Sequence, residues 1–293
     1  GAQALMVYAA ALRSAHAAAS SEQGGLLYLP ERAVRSLPAL LGTFPRLSPG
    51  DALDLFYPAE LLPATARIDL TDIATAANWP PAAGQRRDPG YALAAVEPGG
   101  DSHTGTLRFS AGTGAGLTAT AAIGPAPRDT TGAAALAPNQ ASALERATMA
   151  HVAGHDLAII GAKGVGKTSL AAAFAARLGF PLTTIQCFRD MSMADLLVRR
   201  GTAANGDTVY VNSPLMAALR DGGAVVLDGV HRLEPELLAA LSSLFTSRTL
   251  DLPNGERYLA ADAHGQLAAK RGVSPAELEE SGIHAIAPSF RLL

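Results

Sequence analysis

Apolar residues recur at helical spacing in the first part of the chain. Leu5, Met6, Tyr8 and Leu12 lie among alanines over 3–19, and Val34, Leu37, Leu40 and Leu41 follow Pro30 as far as Gly42. The spacing predicts two helices. Pro30 suits a first helical turn, where its missing N–H would have had no partner. Ser48-Pro49-Gly50-Asp51 introduces a third short helix through Leu53, Leu55, Phe56 and Leu61, so residues 1–63 read as a small helical unit. Over 64–140 the pattern changes to that of a connector. Residues 80–84 are a loop, 91–96 and 106–123 alternate like strands with a break at 112–116, and 124–138 have the Gly, Pro, Ala and Thr content of a linker. From 141 to 293 helices and strands alternate, the mark of a layered α/β domain. The predicted order is helix 141–153, strand 156–160, glycine loop 161–166, helix 167–178, strand 182–187 and helix 193–200. A hairpin follows over 200–211, turning at Asn205-Gly206-Asp207, then helix 213–220, strand 224–228 and helix 234–246. A second hairpin over 249–259 turns at Asn254-Gly255, and helices near 263–270 and 274–281 complete the pattern.

Composition narrows the function classes. The 293 residues carry 23 Lys+Arg against 26 Asp+Glu, a formal charge of -3, which disfavours wholesale binding to nucleic acid or anionic membranes. One cysteine, Cys187, excludes an internal disulfide framework and a cysteine-rich zinc site, and it reads as a small core residue. No apolar run approaches the ~18 residues of a membrane span. The start at Gly1 without methionine and the stop at Leu293 inside the apolar run Ser289-Phe290-Arg291-Leu292-Leu293 lead us to expect a piece of a longer polypeptide. Basic residues are almost all arginine, the lysines being Lys163, Lys167 and Lys270.

Against that background one lysine stands out. Gly161-Ala162-Lys163-Gly164-Val165-Gly166-Lys167-Thr168 matches G-x-x-x-x-G-K-[ST], between a predicted strand and a predicted helix. Glycines let the backbone curl so that successive N–H groups face phosphate oxygens, and the helix N-terminus adds partial positive charge. In this reading residues 161–169, including Ser169, hold the phosphates of ATP. Lys167 reaches the β- and γ-phosphates as a compact point charge, and the Thr168 hydroxyl coordinates Mg²⁺. Lys163 faces solvent from the loop. The bland alternative is a glycine-rich turn with no ligand. Ala224-Val-Val-Leu-Asp228 is an apolar strand ending in a carboxylate, which places Asp228 beside the metal; capping of the next helix is the alternative. Many ATPases follow that aspartate with a glutamate that deprotonates the attacking water, and here the position is Gly229. A positioned base is worth about 10²–10⁴-fold in rate, so binding with slow hydrolysis is expected. His231 is the nearest candidate substitute and Glu234 a weaker one. Arg199 and Arg200 read as a solvated helix end, with a partner contact the alternative; Arg248 and Arg257 sit around the second hairpin, where nothing supports a partner contact, and His151 and His155 read as surface residues. Asp190 and Asp195 read as helix caps.

Gly161–Thr168, Asp195–Arg200, Asn212–Leu215, Asp228–Arg232 and Pro288–Arg291 come in the order seen in dynein-related AAA+ ATPases, the branch that includes midasin and the MoxR group. The resemblance is dense over 141–293 and thinner over 1–125, where the helices resemble the lid of a preceding module. It implies a P-loop NTPase of the three-layer αβα kind with a parallel sheet, cut at the strand that carries the polar sensor. Asp156 resembles the polar residue leading into the first strand, with a possible contact to the nucleotide. The resemblance also implies ring-like assembly with neighbouring AAA+ modules, remodelling of an unidentified protein substrate, and a mitochondrial address. Two functions stay open: an ATP- and Mg²⁺-dependent ATPase module, or a hydrolysis-deficient nucleotide-binding module that orders a ring.

Overall fold

The computed structural model describes residues 7–11, 31–58, 61–62, 64–79, 90–101, 103–112, 114–126, 128, 136–202, 207–252 and 254–293. Most of the predicted 3–19 helix, its Pro30 successor's first residue, the 80–84 loop and Asn205-Gly206 lie outside the described residues. The chain divides into two compact units, one of residues 1–95, 107–121 and 137–155, the other of 96–106, 122–136 and 156–293.

The first unit contains α1 (Glu31–Thr43), α2 (Pro49–Asp54), α3 (Ala64–Ala76) and α4 (Pro138–Val152), with parts of a meander of β1 (Ala92–Pro98), β2 (Thr104–Ala111) and β3 (Gly114–Ala122). Ser48 caps α2 by accepting from the Asp51 amide, as the Ser-Pro-Gly-Asp pattern predicts. Helix α3 falls in the stretch read as connector. Its Thr71 and Thr75 hydroxyls donate to the carbonyls one turn back, so these β-branched residues are accommodated in a helix that their propensities do not announce. Phe44 meets the rings of Tyr91 and Phe109 edge-on at 5.3 and 5.1 Å. The two histidines expected on the surface are not there. His151 is 1% exposed, and His155 packs on Phe56 at 4.4 Å with Nε2 at 2.7 Å from the Ser36 hydroxyl.

In the second unit β4 (Leu182–Gln186), β7 (Gly223–Asp228) and β11 (Phe290–Leu292) form a parallel sheet in the order β11-β7-β4. Central β7 alternates its side chains between two faces. Val225 and Leu227 join the core built by α7 (Pro214–Asp221) and α8 (Pro235–Ser247) with Leu215, Leu219, Leu241 and Leu244. Helix α5 (Lys167–Leu178) also packs on β7, and its buried Phe174 and Leu178 lie outside that core, which gives helix layers on both faces.

Three predicted elements differ. Helix α6 covers only Met193–Leu196, stopped as β5 (Val198–Thr202) begins pairing with β6 (Thr208–Asn212); Arg199 and Arg200 are therefore strand residues opposite Val211 and Tyr210, not a helix end. Asp195 does complete a capping box with Ser192. Residues 156–160 are extended but not a regular strand. The adjacent β11 is three residues long, and the Leu157 amide donates to Leu292 O at 3.1 Å. The start of the expected linker is tied down: the Gly124 and Ala126 amides donate to Leu178 O and Gly179 O, each at 2.9 Å, at the end of α5. The second hairpin is present, with β8 (Leu250–Asp251) antiparallel to β9 (Arg257–Ala260), followed by α9 (Ala261–Arg271), α10 (Pro275–Glu280) and β10 (Ile283–Ile286) parallel to β9. Among the described residues no helix is long and apolar enough to cross a membrane.

Candidate functional site

The glycine loop leaves the extended run 155–160 and feeds directly into α5. Gly164 and Gly166 hold φ of +84° and +85°, a left-handed backbone that side chains resist, so the loop turns sharply into the start of α5. The first intrahelical bond of α5 runs from Leu170 N to Gly166 O, which leaves the amides of Lys167, Thr168 and Ser169 ahead of it. The Lys167 ammonium folds back over the loop and donates to Gly161 O at 3.0 Å and Ala162 O at 2.9 Å. A methyl group on Gly161 would approach Val165 Cγ2 to 3.1 Å on the side where the Lys167 stem passes, so the loop's bore depends on a residue without a side chain. Gly161, Ala162, Lys163, Gly164, Val165, Thr168 and Ser169 are exposed, and Gly166 and Lys167 partly so. Carbonyl oxygens are weaker partners for an ammonium than anionic oxygens. The loop, its amides and Lys167 therefore fit a phosphate chain.

Asp228 stands half-buried at the carboxyl end of β7. Strand β11 lies between β7 and the run leading to the loop, as its pairing with β7 and the Leu157 bond show. Asp228 thus stands at the carboxyl end of a parallel sheet, where ligands of such sheets bind. Gln186, its register partner on β4, donates Nε2–H to Asp228 Oδ2 at 3.3 Å, and the Cys187 amide donates to Asp228 O at 2.8 Å. Gln186 was not singled out in the sequence, because only the register of β4 against β7 brings it there. Burial pushes the Cys187 thiol up and the Asp228 carboxylate pushes it the same way, against Arg232, so the thiol stays protonated and unreactive. Among the described residues no group of three or more His, Cys, Asp or Glu is placed to hold a metal. A hard cation beside Thr168 and Asp228 would complete its shell with phosphate oxygens and water.

After Asp228 the chain turns left-handed at Gly229, with φ +83° and ψ +33°, into a single 3₁₀ turn over Val230–Arg232. An added Cβ at Gly229 would face the Arg232 side chain at 3.4–3.6 Å. The left-handed backbone at 229 is one that a side chain such as glutamate resists. His231 is exposed on the 3₁₀ turn. Glu234 precedes α8 and is paired with Arg189 at 3.1 Å on the surface. Asp156, expected near the nucleotide, is engaged elsewhere: Oδ1 accepts from Arg248 Nη2 at 2.6 Å and from the Leu292 amide at 2.9 Å. Arg248 is thus an internal partner, whereas Arg257 forms an exposed pair with Asp251 at 3.0 Å.

Residues 156–292 match the family model of the AAA domain (dynein-related subfamily). Over 138 residues, 47% of the chain, the sequence is 42% identical to von Willebrand factor A domain-containing protein 8 of Mus musculus, covering 7% of that protein. It is 38% identical over 122 residues to Protein NorQ of Paracoccus denitrificans, covering 40% of the chain and 44% of NorQ. It is 37% identical over 95 residues to the denitrification regulatory protein NirQ of Stutzerimonas stutzeri, covering 32% of the chain and 34% of NirQ. The chain therefore spans less than half the length of each of these relatives. The parallel sheet, its helix layers and the glycine loop make up the P-loop NTPase fold that the family match implies.

Proposed function

We propose, on the match of residues 156–292 to the AAA domain (dynein-related subfamily), that this chain binds ATP with Mg²⁺ at residues 161–169 and Asp228. Its parent would couple ATP hydrolysis to remodelling of a protein substrate within a ring of AAA+ modules. The observation that supports the binding reading is the left-handed loop ahead of α5 with the Lys167 ammonium folded over it, together with Asp228 at the carboxyl end of β7. When bound, the cation supplies charge neutralisation on the phosphates and Lewis acidity. The Thr168 hydroxyl and Asp228 carboxylate would hold it, while Lys167 and the loop amides offset charge that grows on the transferring phosphoryl oxygens. Ring assembly and a mitochondrial address rest on the family likeness alone.

Titration of the intact protein with ATP, with and without Mg²⁺, tests the reading. Binding is expected to be tighter with the cation, and Asp228→Asn is expected to lower Mg²⁺ affinity about 10–100-fold while metal-free binding persists. Wild-type protein that binds no ATP at millimolar concentration would overturn it.

Gly229 favours a second reading, a module that binds nucleotide and orders the ring while hydrolysing slowly. No carboxylate immediately follows Asp228, and His231 stands on an exposed turn. Placing glutamate at 229 forces a side chain into the left-handed region at a cost of about 1–2 kcal/mol, or a few degrees of Tm. Its carboxylate would start beside the Arg232 guanidinium. Gly229→Glu is expected to lower Tm modestly and to raise ATP turnover, and unchanged turnover would count against this second reading. A rise in turnover would show that the turn relaxes and that the missing side chain alone limits the rate.

A further inference from the structure

Arg248 occupies a backbone conformation that arginine resists. Its φ of +54° makes it one of two non-glycine residues with positive φ among the described residues, the other being Asn78. It ends α8, and its guanidinium turns inward: Nη2 donates to Asp156 Oδ1 at 2.6 Å, with the two side chains only 15% and 19% exposed. The guanidinium carbon lies 5.1 Å from the centre of the fully buried Phe290 ring. Oδ1 of Asp156 also accepts from the Leu292 amide at 2.9 Å, and Leu157 N donates to Leu292 O at 3.1 Å. One carboxylate oxygen thus joins three segments: the run into the glycine loop, strand β11, and the end of α8. The other end of α8 follows the Asp228 turn.

The run 156–160 is not a regular strand, so a ladder of backbone bonds does not set its height against β11. The Asp156 contacts take over that task. Among the described residues Asp156 Oδ2 and Arg248 Nη1 are buried without hydrogen-bond partners, and the pair makes one bond where a carboxylate and a guanidinium commonly make two.

We propose that Asp156 and Arg248 are positioning residues for the phosphate loop, holding the run into Gly161 in register with β11 and linking it to the helix that follows Asp228. The nucleotide part of this inference rests on the ATP-binding reading above. Arg248→Met keeps a long side chain at 248 but removes the guanidinium over Phe290 and the ion pair. Asp156→Asn keeps an acceptor for Leu292 and removes the charge. Arg248→Gly removes the pair while relieving the left-handed backbone.

The test measures hydrogen exchange at 157–166 and the ATP dissociation constant on intact protein, well below each variant's melting midpoint. Both single substitutions are expected to speed exchange across 157–166 and to weaken ATP about tenfold or more, as misplaced binding groups do. The double variant Asp156→Asn/Arg248→Met is expected to lose no more than either single, because the two side chains form one unit. Arg248→Gly should recover melting temperature but not ATP affinity, a split that a purely structural role would not produce; Arg248→Lys should recover part of the affinity through its charge. Unchanged exchange in the single variants would overturn the positioning role, whatever the ligand. Accelerated exchange with unchanged ATP affinity would overturn the link to nucleotide. A wild-type protein that binds no ATP would instead remove the ATP reading, and exchange would still decide the anchor.

Discussion

Lys167→Ala in the intact protein is expected to weaken ATP binding by about 10–150-fold, the equivalent of losing a charged hydrogen bond of about 1.5–3 kcal/mol. Among the described residues Lys167 Nζ hydrogen-bonds to the carbonyls of Gly161 and Ala162, both exposed, so the folded state loses little when it is removed. The melting midpoint of the unliganded variant should therefore stay within about a degree or two of wild type. This pairing of outcomes is specific. A residue that held the loop together would lower both quantities, and an idle surface lysine would change neither. Lys163→Ala is the matched control on the same exposed loop and should leave affinity within about threefold, because Lys163 faces solvent.

Gly124→Ala is expected to give the largest loss of stability. A Cβ on Gly124 would stand 1.9 Å from Gly179 O, 2.4 Å from Gly179 C and 2.5 Å from Phe180 Cα, all of them backbone atoms. Nothing there can rotate away, so the crossing must open. Its two 2.9 Å bonds, from the Gly124 amide to Leu178 O and from the Ala126 amide to Gly179 O, would open with it. Overpacking of this kind costs about 1–3 kcal/mol and occasionally more; at about 3 kcal/mol the midpoint falls by roughly 6–12 °C. Gly179→Ala should behave similarly, with φ of +73° and a Cβ 2.5 Å from Ala126 O. Gly42→Ala, with nothing within 4 Å, should be neutral or slightly stabilising. A wild-type-like midpoint for Gly124→Ala would mean that the segment does not cross the end of α5.

The candidate loop was legible because its chemistry is local. Glycines permit the turn, Lys167 opens the next helix, and Thr168 follows within the same turn. The hairpin over 249–259 was legible for the same reason, through Asn254 and Gly255. Residues that act through space were harder to place. His151 reads as a polar surface residue by type, yet it is buried in α4. Arg248 reads as a hairpin arginine, and only the left-handed end of α8 turns it towards Asp156. Gln186 became visible once β4 and β7 paired in register. The stretch 64–76 hid a helix because its alternating Thr, Ile, Asp and Ala carry no strong period, and back-bonding threonine hydroxyls accommodate it.

By itself, the sequence determined the α/β alternation over 141–293, the phosphate-loop motif, the carboxylate at the end of an apolar strand, and the absence of a glutamate after it. Each follows from neighbouring residues: hydrophobic period sets an element, glycine permits a turn, and proximity along the chain brings a lysine to a helix start. Tertiary structure decided that Gly229 is left-handed beside Arg232, that Asp156 is an anchor joined to Arg248, and that the presumed linker is fastened to α5 at Gly124 and Gly179. Those outcomes depend on which distant segments come within hydrogen-bonding distance and which cannot overlap. Such choices are made by strand register and close packing, to which a one-dimensional pattern is blind.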